Sequence, residues 1–177
     1  MHVRPEPAAK DGLHHTDRLL TPPELALVVT SIARQKTAWR EQLRFPDRDR
    51  WYGLWYASPT VEVWLLTWQQ DTSTELHDHG DSSGAFCVVA GELEEIRGGT
   101  SGRLHRRRLR PGEVGSFSAG YVHDLANRQS PPAVSVHAYS PPLTCMTFYE
   151  RAGAGLAPAR TEHYGRSEPL SAVRGRA

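Results

Sequence analysis

The chain has 177 residues, a formal net charge of +1 and two cysteines. This length suits one domain with a sizeable core, and the near-neutral charge gives no electrostatic basis for binding nucleic acid or a membrane surface. No apolar stretch approaches the ~20 residues of a membrane helix, no signal segment is recognised at the start, and two cysteines make no disulfide framework. We therefore expect a cytoplasmic protein, a monomer or weak dimer, without nucleic-acid or membrane partners.

Two helices are predicted near the start, after a loosely ordered arm over residues 1–20. Thr21, two prolines and Glu24 have the composition of a capping box. Apolar residues then recur at helical spacing, at Leu25, Leu27, Val28, Ile32 and Ala33. A second short helix is predicted over 37–43, where the following Phe-Pro-Asp sequence ends it.

From residue 50 onward the pattern changes to short extended segments. They are predicted over 51–57, 61–68, 85–89, 93–96, 104–109, 113–117, 134–139 and 146–150, with a hairpin turn at 98–102. Short strands without intervening helices predict an all-β antiparallel barrel or sandwich within a domain over 21–151. Residues 152–177 are assigned to a C-terminal tail with a disordered end.

Two separated segments carry histidines with metal-ligand spacing. His77 and His79 flank one residue, so an extended backbone turns both imidazoles to the same side. His123 follows 44 residues after His79, behind a glycine-rich turn. Three imidazoles can hold one face of a metal and leave positions open for chemistry. The alternative is a solvated strand, on which isolated His-x-His pairs are common.

A second group of polar residues recurs at strand spacing. Ser135, His137 and Tyr139 share one face of a predicted strand. Taken alone, the pattern also fits an ordinary half-exposed strand with a wet side.

Two further clusters have simpler interpretations. Arginines at 106–108 invite a nucleic-acid interpretation, but Glu92, Glu94 and Glu95 can pair with them across a hairpin. Four tryptophans within residues 51–68 are assigned mainly to core packing, as is Cys87.

The histidine segments resemble the two motifs of the cupin superfamily. The first is His-x-His followed by glycine, and the second is Gly-x-x-His-x-x-x-Asn, here Gly120, His123 and Asn127. The resemblance implies a double-stranded β-helix, or jelly-roll barrel. The usual cupin glutamate is missing, since residues 81–84 read Asp-Ser-Ser-Gly. The implied ligand set is therefore three neutral histidines.

Together with the Ser-x-His-x-Tyr-Ser-Pro-Pro segment, residues 50–145 resemble the cysteine dioxygenase family of thiol dioxygenases. The resemblance implies Fe(II) held by His77, His79 and His123, with a relay of Ser135, His137 and Tyr139 whose hydroxyl lies near the iron. It also implies a cis bond between Ser140 and Pro141. The implied reaction uses O2 to oxidise a small thiol or thione to its sulfinic acid.

Two departures from the family pattern bear on the substrate pocket. Gly84 stands where mammalian members carry the cysteine linked to the tyrosine, so Tyr139 should be unmodified. Leu54 stands where cysteine-using members place a carboxylate-binding arginine, which argues against cysteine itself.

Arg50 is expected to face away from the substrate. The predicted pocket comprises Tyr52, Leu54, Trp55, Gly84 and Cys145. Related 3-mercaptopropionate dioxygenases also lack the arginine, so the resemblance keeps a small mercapto acid among the candidates. An apolar, aromatic lining would suit a bulkier thiol or thione, of which ergothioneine is one example. The alternatives are a non-enzymatic metal- or ligand-sensing cupin and another metal-dependent cupin enzyme.

Overall fold

The computed structural model describes residues 17–98, 103–129, 131–153 and 155–165. Over these residues, a helical segment precedes a series of strands. The helices are α1 (Pro22–Arg34), α2 (Lys36–Trp39) and a 3-10 turn (Arg40–Gln42). The strands are β1 (Trp51–Ala57), β2 (Glu62–Trp68), β3 (Ser83–Ala90), β4 (Leu93–Gly98), β5 (Leu104–Leu109), β6 (Val114–Phe117), β7 (Val122–Ala126), β8 (Ala133–Ser140), β9 (Cys145–Ala152) and β10 (Gly155–His163).

The predicted N-terminal helix is confirmed, with its capping glutamate in place. The Glu24 carboxylate accepts hydrogen bonds from the backbone N–H and the hydroxyl of Thr21, at 2.8 and 2.7 Å. These contacts satisfy donors that the first helical turn leaves free. The buried face of α1 carries Leu25, Val29 and Ile32. The second helix is shorter than predicted and passes into the 3-10 turn.

The strands form two layers. One layer is a five-stranded sheet in the order β1-β2-β8-β3-β6, all antiparallel. The other combines a three-stranded sheet, β5-β4-β7, with the hairpin of β9 and β10. The segment around His77 joins these two parts, because His77 bridges to His123 on β7 and to Phe148 on β9.

The core lies on both sides of the five-stranded sheet. Its outer face packs against α1, while its inner face contributes to a second apolar cluster that includes Phe86, Leu93 and Leu125. Every residue of the central strand β8 is consequently buried. Polar side chains on β8 therefore need partners inside the protein.

The predicted all-β architecture is confirmed, with two strands that the sequence analysis did not predict. These are β7 and β10, of which β10 occupies part of the segment assigned to a tail. The predicted hairpin turn lies largely outside the described residues, as do residues 1–16 of the arm and 166–177 of the tail. Among the described helices, none combines the length and apolar character needed to cross a membrane.

Candidate metal centre and adjoining cavity

Three histidines from two distant segments meet inside the barrel. His77 and His123 are held opposite each other by reciprocal backbone hydrogen bonds of 2.8 and 2.9 Å. His79 lies beside them, with its Nε2 atom 3.1 Å from Nε2 of His77. One ring nitrogen from each of the three histidines lies within 4.8 Å of the others, and all three side chains are buried. This group could hold a metal ion.

The Nδ1 atoms of His77 and His79 point away from the cluster and differ in their hydrogen bonds. Nδ1 of His77 lies 2.8 Å from the Glu75 carbonyl oxygen, to which it donates, so Nε2 keeps its lone pair. Nδ1 of His79 is buried without a hydrogen-bond partner among the described residues. Burial, and then the neighbouring histidines, hold the pKa of both His77 and His79 well below the usual value. Both imidazoles are therefore neutral, as metal ligation requires.

A fully buried carboxylate supports the third histidine. Oε1 of Glu95 accepts a hydrogen bond from Nδ1 of His123 at 2.9 Å, and Oε2 pairs with Arg107 at 2.5 Å. Burial alone would raise the pKa of Glu95, but the contacts with His123 and Arg107 outweigh it and the pKa is lowered. Glu95 therefore places a negative charge directly behind His123.

The sequence predicts the pairing of Glu95 with an arginine but not its contact with His123. The two-residue period of a strand could have predicted that Glu95 points inward. Leu93 and Glu95 share the buried face of β4, whereas Glu94 points outward to Arg106.

The three polar residues of β8 form a continuous hydrogen-bonded chain. Ser135 Oγ lies 2.8 Å from Nε2 of His137, and Nδ1 of His137 lies 3.3 Å from the Tyr139 hydroxyl. The indole N–H of Trp68 donates to Ser135 Oγ at 2.8 Å. Trp68, assigned to the core from sequence, is thus also the first donor of this chain.

The donor at Trp68 is consistent with one direction of donation along the whole chain. With Ser135 Oγ accepting from Trp68, its hydroxyl proton is free to be donated to Nε2 of His137. Nδ1–H of His137 can then donate to the Tyr139 oxygen, which leaves the Tyr139 proton available for another acceptor. Burial lowers the pKa of His137 to about 3 and raises that of Tyr139. Both groups therefore stay neutral.

Tyr139 lies directly beside the histidine cluster. Its ring centroid is 4.9 Å from that of His79. Gly84 permits this packing, since a Cβ there would meet the rings of Phe117 at 2.4 Å and Tyr139 at 3.0 Å. The bond between Ser140 and Pro141, which follows on β8, is cis as expected.

A cavity of about 370 Å³ reaches both groups. Its lining includes His77 and His123 of the cluster and His137 and Tyr139 of the chain. The remaining wall is aromatic and apolar apart from Thr74 and three charged residues, Arg50, Glu62 and Glu162. The last of these belongs to β10, so the segment assigned to a tail forms part of the wall.

Four of the five residues predicted for the pocket do not line this cavity. Trp55 packs into the core beneath α1, because a register shift between Leu54 and Tyr56 disrupts the alternation of β1. Leu54 is buried opposite Trp64, and of this pair Trp64 reaches the cavity. Gly84 lies behind the rings of Phe117 and Tyr139, while Cys145 packs near Gly80.

The prediction that Arg50 faces away from the substrate is wrong, because Arg50 lines the cavity. It lines the cavity together with Tyr52, and its Cζ atom lies 5.9 Å from the centroid of the Tyr52 ring. Its charge contributes to lowering the pKa of His137, after burial and His123. A positive charge therefore lies close to the candidate site, at Arg50, which is not part of the family motif.

Comparison with known proteins agrees with this architecture. A double-stranded β-helix protein from Klebsiella pneumoniae superposes with a TM-score of 0.52 at 19% identity, over 68% of this chain and 93% of that one. A cupin superfamily protein from Desulfitobacterium hafniense gives a TM-score of 0.50 at 12% identity, over 58% and 86%. The fold is therefore that of a cupin, as predicted.

The sequence places the chain more narrowly within that superfamily. The family described as cysteine dioxygenase type I matches residues 23–152, and the chain belongs to this family. Cysteine dioxygenase type 1 of Danio rerio is 28% identical over 100 residues, which is 50% of this chain and 50% of that protein. The chain thus matches about half the length of that relative.

Proposed function

We propose that this protein is an Fe(II)-dependent thiol dioxygenase, which adds both atoms of O2 to the sulfur of a small thiol or thione to give a sulfinic acid. The observation that carries the proposal is the cavity onto which the histidine cluster and Tyr139 both open. Membership of the cysteine dioxygenase type I family supports the same class of reaction.

The donor set suits a metal that activates a sulfur substrate. We assign His77, His79 and His123 as ligands, all through neutral imidazoles. Fe(II) held there would supply electrons for O2 and open positions for a thiolate, since a coordinating thiol loses its proton. A ligand set without a carboxylate leaves the positive charge of the site to attract the sulfur anion. Glu95 moderates that charge from behind His123.

The polar chain on β8 is assigned to proton handling and orientation. Tyr139 presents a protonated hydroxyl beside His79, where it can donate a hydrogen bond to bound O2 or substrate. His137 and Ser135 hold that hydroxyl in place from behind, and Trp68 in turn donates a hydrogen bond to Ser135.

The cavity also bears on the identity of the substrate. Leu54 lies outside the lining, so its side chain gives no evidence about a carboxylate group, whereas Arg50 is in reach of the cavity. Arg50 can pair with a substrate carboxylate, which keeps mercapto acids, including cysteine, among the candidates. The volume of about 370 Å³ also leaves room for bulkier thiols and thiones.

Oxygen uptake by iron-loaded protein tests the proposal. We expect one O2 consumed per sulfinic acid formed with at least one member of a panel of cysteine, 3-mercaptopropionate, cysteamine and ergothioneine. Metal-free protein should consume none. Iron binding without O2 uptake on any thiol or thione would instead favour a metal-sensing module, and the proposal would then be wrong.

A further inference from the structure

We propose that the cavity contains a cation subsite, formed by Glu62, Trp64 and Tyr52, that binds a positively charged amine or quaternary ammonium group of the substrate. The idea that this group belongs to a thiol rests on the proposed function. The subsite itself rests on the charge and the aromatic rings described below.

Glu62 is a buried carboxylate on the cavity wall. Its side chain is on β2, opposite Tyr139 of β8, and the residue is only 5% exposed. One carboxylate oxygen accepts a hydrogen bond from the Leu143 backbone N–H at 3.0 Å. Among the described residues, no arginine, lysine or histidine nitrogen lies within 4.0 Å of it. Burial raises the pKa of this carboxyl group above its usual value, although the Trp64 side chain and the Leu143 N–H act to lower it. A cation beside it would favour the charged form.

Two aromatic rings, those of Trp64 and Tyr52, line the same cavity as this carboxylate. Trp64 follows Glu62 on the same face of β2, and its ring centroid lies 6.1 Å from that of Tyr52 at an interplanar angle of 59°. Rings inclined in this way form two walls of a corner, and the faces of aromatic rings attract cations. The guanidinium of Arg50 already lies 5.9 Å from the Tyr52 centroid, so this ring accepts a positive group.

Two opposite charges of the cavity wall, those of Glu62 and Arg50, act on Tyr139. After burial, Glu62 raises the pKa of Tyr139 whereas Arg50 lowers it, so both act on the same hydroxyl. Arg50 and Glu62 form no ion pair with each other among the described contacts. The wall therefore presents separate positive and negative groups, which suit a substrate that carries an ammonium group, with or without a carboxylate.

Matched substrates isolate the role of the charge. Cysteamine and 2-mercaptoethanol have the same chain length and differ in an ammonium against a hydroxyl group. We expect kcat/KM of the native protein to favour cysteamine at least tenfold, and Glu62→Gln to lower this ratio by about ten- to a hundredfold. The ratio cancels any effect of Glu62 on Tyr139. Glu41→Gln, on the exposed 3-10 turn, is the matched control and should leave the ratio unchanged.

Binding to metal-free protein tests the subsite without turnover. By titration calorimetry, choline should bind at least tenfold more tightly than the neutral isostere 3,3-dimethylbutan-1-ol, and Glu62→Gln should reduce this preference to the roughly two- to fivefold that the aromatic rings supply. If that variant fails to fold because the Leu143 contact is lost, Tyr52→Ala removes a ring that is 59% exposed. We expect Tyr52→Ala to reduce the choline preference about two- to fivefold.

The outcomes separate the two proposals. Thiol oxidation without a preference for cysteamine, together with equal binding of choline and its isostere, would overturn the subsite and assign Glu62 only to holding the loop at Leu143. Glu62-dependent choline binding without any thiol oxidation would support the subsite and reject the dioxygenase.

Discussion

The histidine cluster and the polar chain on β8 lie side by side but are built in different ways. His77 and His79 come from an irregular segment and His123 from β7, so the cluster exists only when those parts pair. Ser135, His137 and Tyr139 occupy one face of a single strand, and their spacing follows from the two-residue period alone.

This difference predicts different responses to substitution. The cluster depends on contacts between distant segments, and its partner Glu95 comes from a third element, β4, whereas Glu75 belongs to the same segment as His77. The chain on β8 depends on a regular strand and on one neighbour, Trp68 on β2. Changes at the cluster should therefore remove metal, whereas changes in the chain should slow turnover and leave the metal bound.

The largest effect is expected from His79→Ala. Loss of one of three ligands should remove most of the iron and all oxygen consumption, while β8 and its neighbouring strands stay folded. Metal analysis and circular dichroism check this together. His105→Ala, at an exposed position on β5, is the control and should keep its iron. Full activity in His79→Ala would contradict the ligand assignment.

Tyr139→Phe tests the other half of the comparison. The variant should retain iron and lose about 10²- to 10⁴-fold in kcat, as expected for a lost proton donor or orienting group. Stopped-flow and steady-state measurements on protein of equal iron content provide the check. A wild-type rate across the pH range would mean that the hydroxyl takes no part in the reaction.

Glu95→Gln separates charge from orientation at His123. The amide still offers an oxygen to Nδ1 but removes the negative charge, so iron affinity should fall about 10- to 100-fold. Competition with a chelator measures this effect directly. Glu94→Gln, one residue away and paired with Arg106 near the surface, should bind iron like the native protein. If Glu95→Gln bound iron as tightly as Glu94→Gln, the charge of Glu95 would serve only its ion pair with Arg107.

Trp68→Phe should give the smallest effect. The change removes the N–H that donates to Ser135 Oγ, so the Ser135 hydroxyl can turn away from His137. We expect a loss of about 1 kcal/mol in the free energy of unfolding, along with a decrease of a few-fold in kcat at unchanged iron content. Denaturant unfolding and kinetics on the same preparation test both parts. A kcat equal to that of the native protein would show that Trp68 serves packing alone.

How much the sequence predicted depended on whether a feature is local. The shared face of Ser135, His137 and Tyr139 follows from strand alternation, and the first helix follows from its capping residues. The motif resemblance also grouped His123 with His77 and His79, and the structure brings these three side chains together. Each of these features needed only short-range rules or a known motif.

The features that the sequence analysis missed depend on how strands pair. Glu95 reaches His123 because β4 lies beside β7, and Trp68 reaches Ser135 because β2 lies beside β8. The error at Leu54 and Trp55 came from a register shift in β1 that breaks the two-residue period. Composition also hid β10, whose alanine, glycine and proline content is unusual for a strand.

The position of His77 links iron loading to the exchange of backbone protons. The same residue contributes an imidazole to the cluster and backbone bridges to both β7 and β9, so it stands where the two parts of the second layer join. The amide protons of His77 and His123 can exchange with solvent only when that junction opens. A ligand that pulls the two imidazoles together should slow their exchange, and these two amides would then report occupancy of the site before any substrate is added.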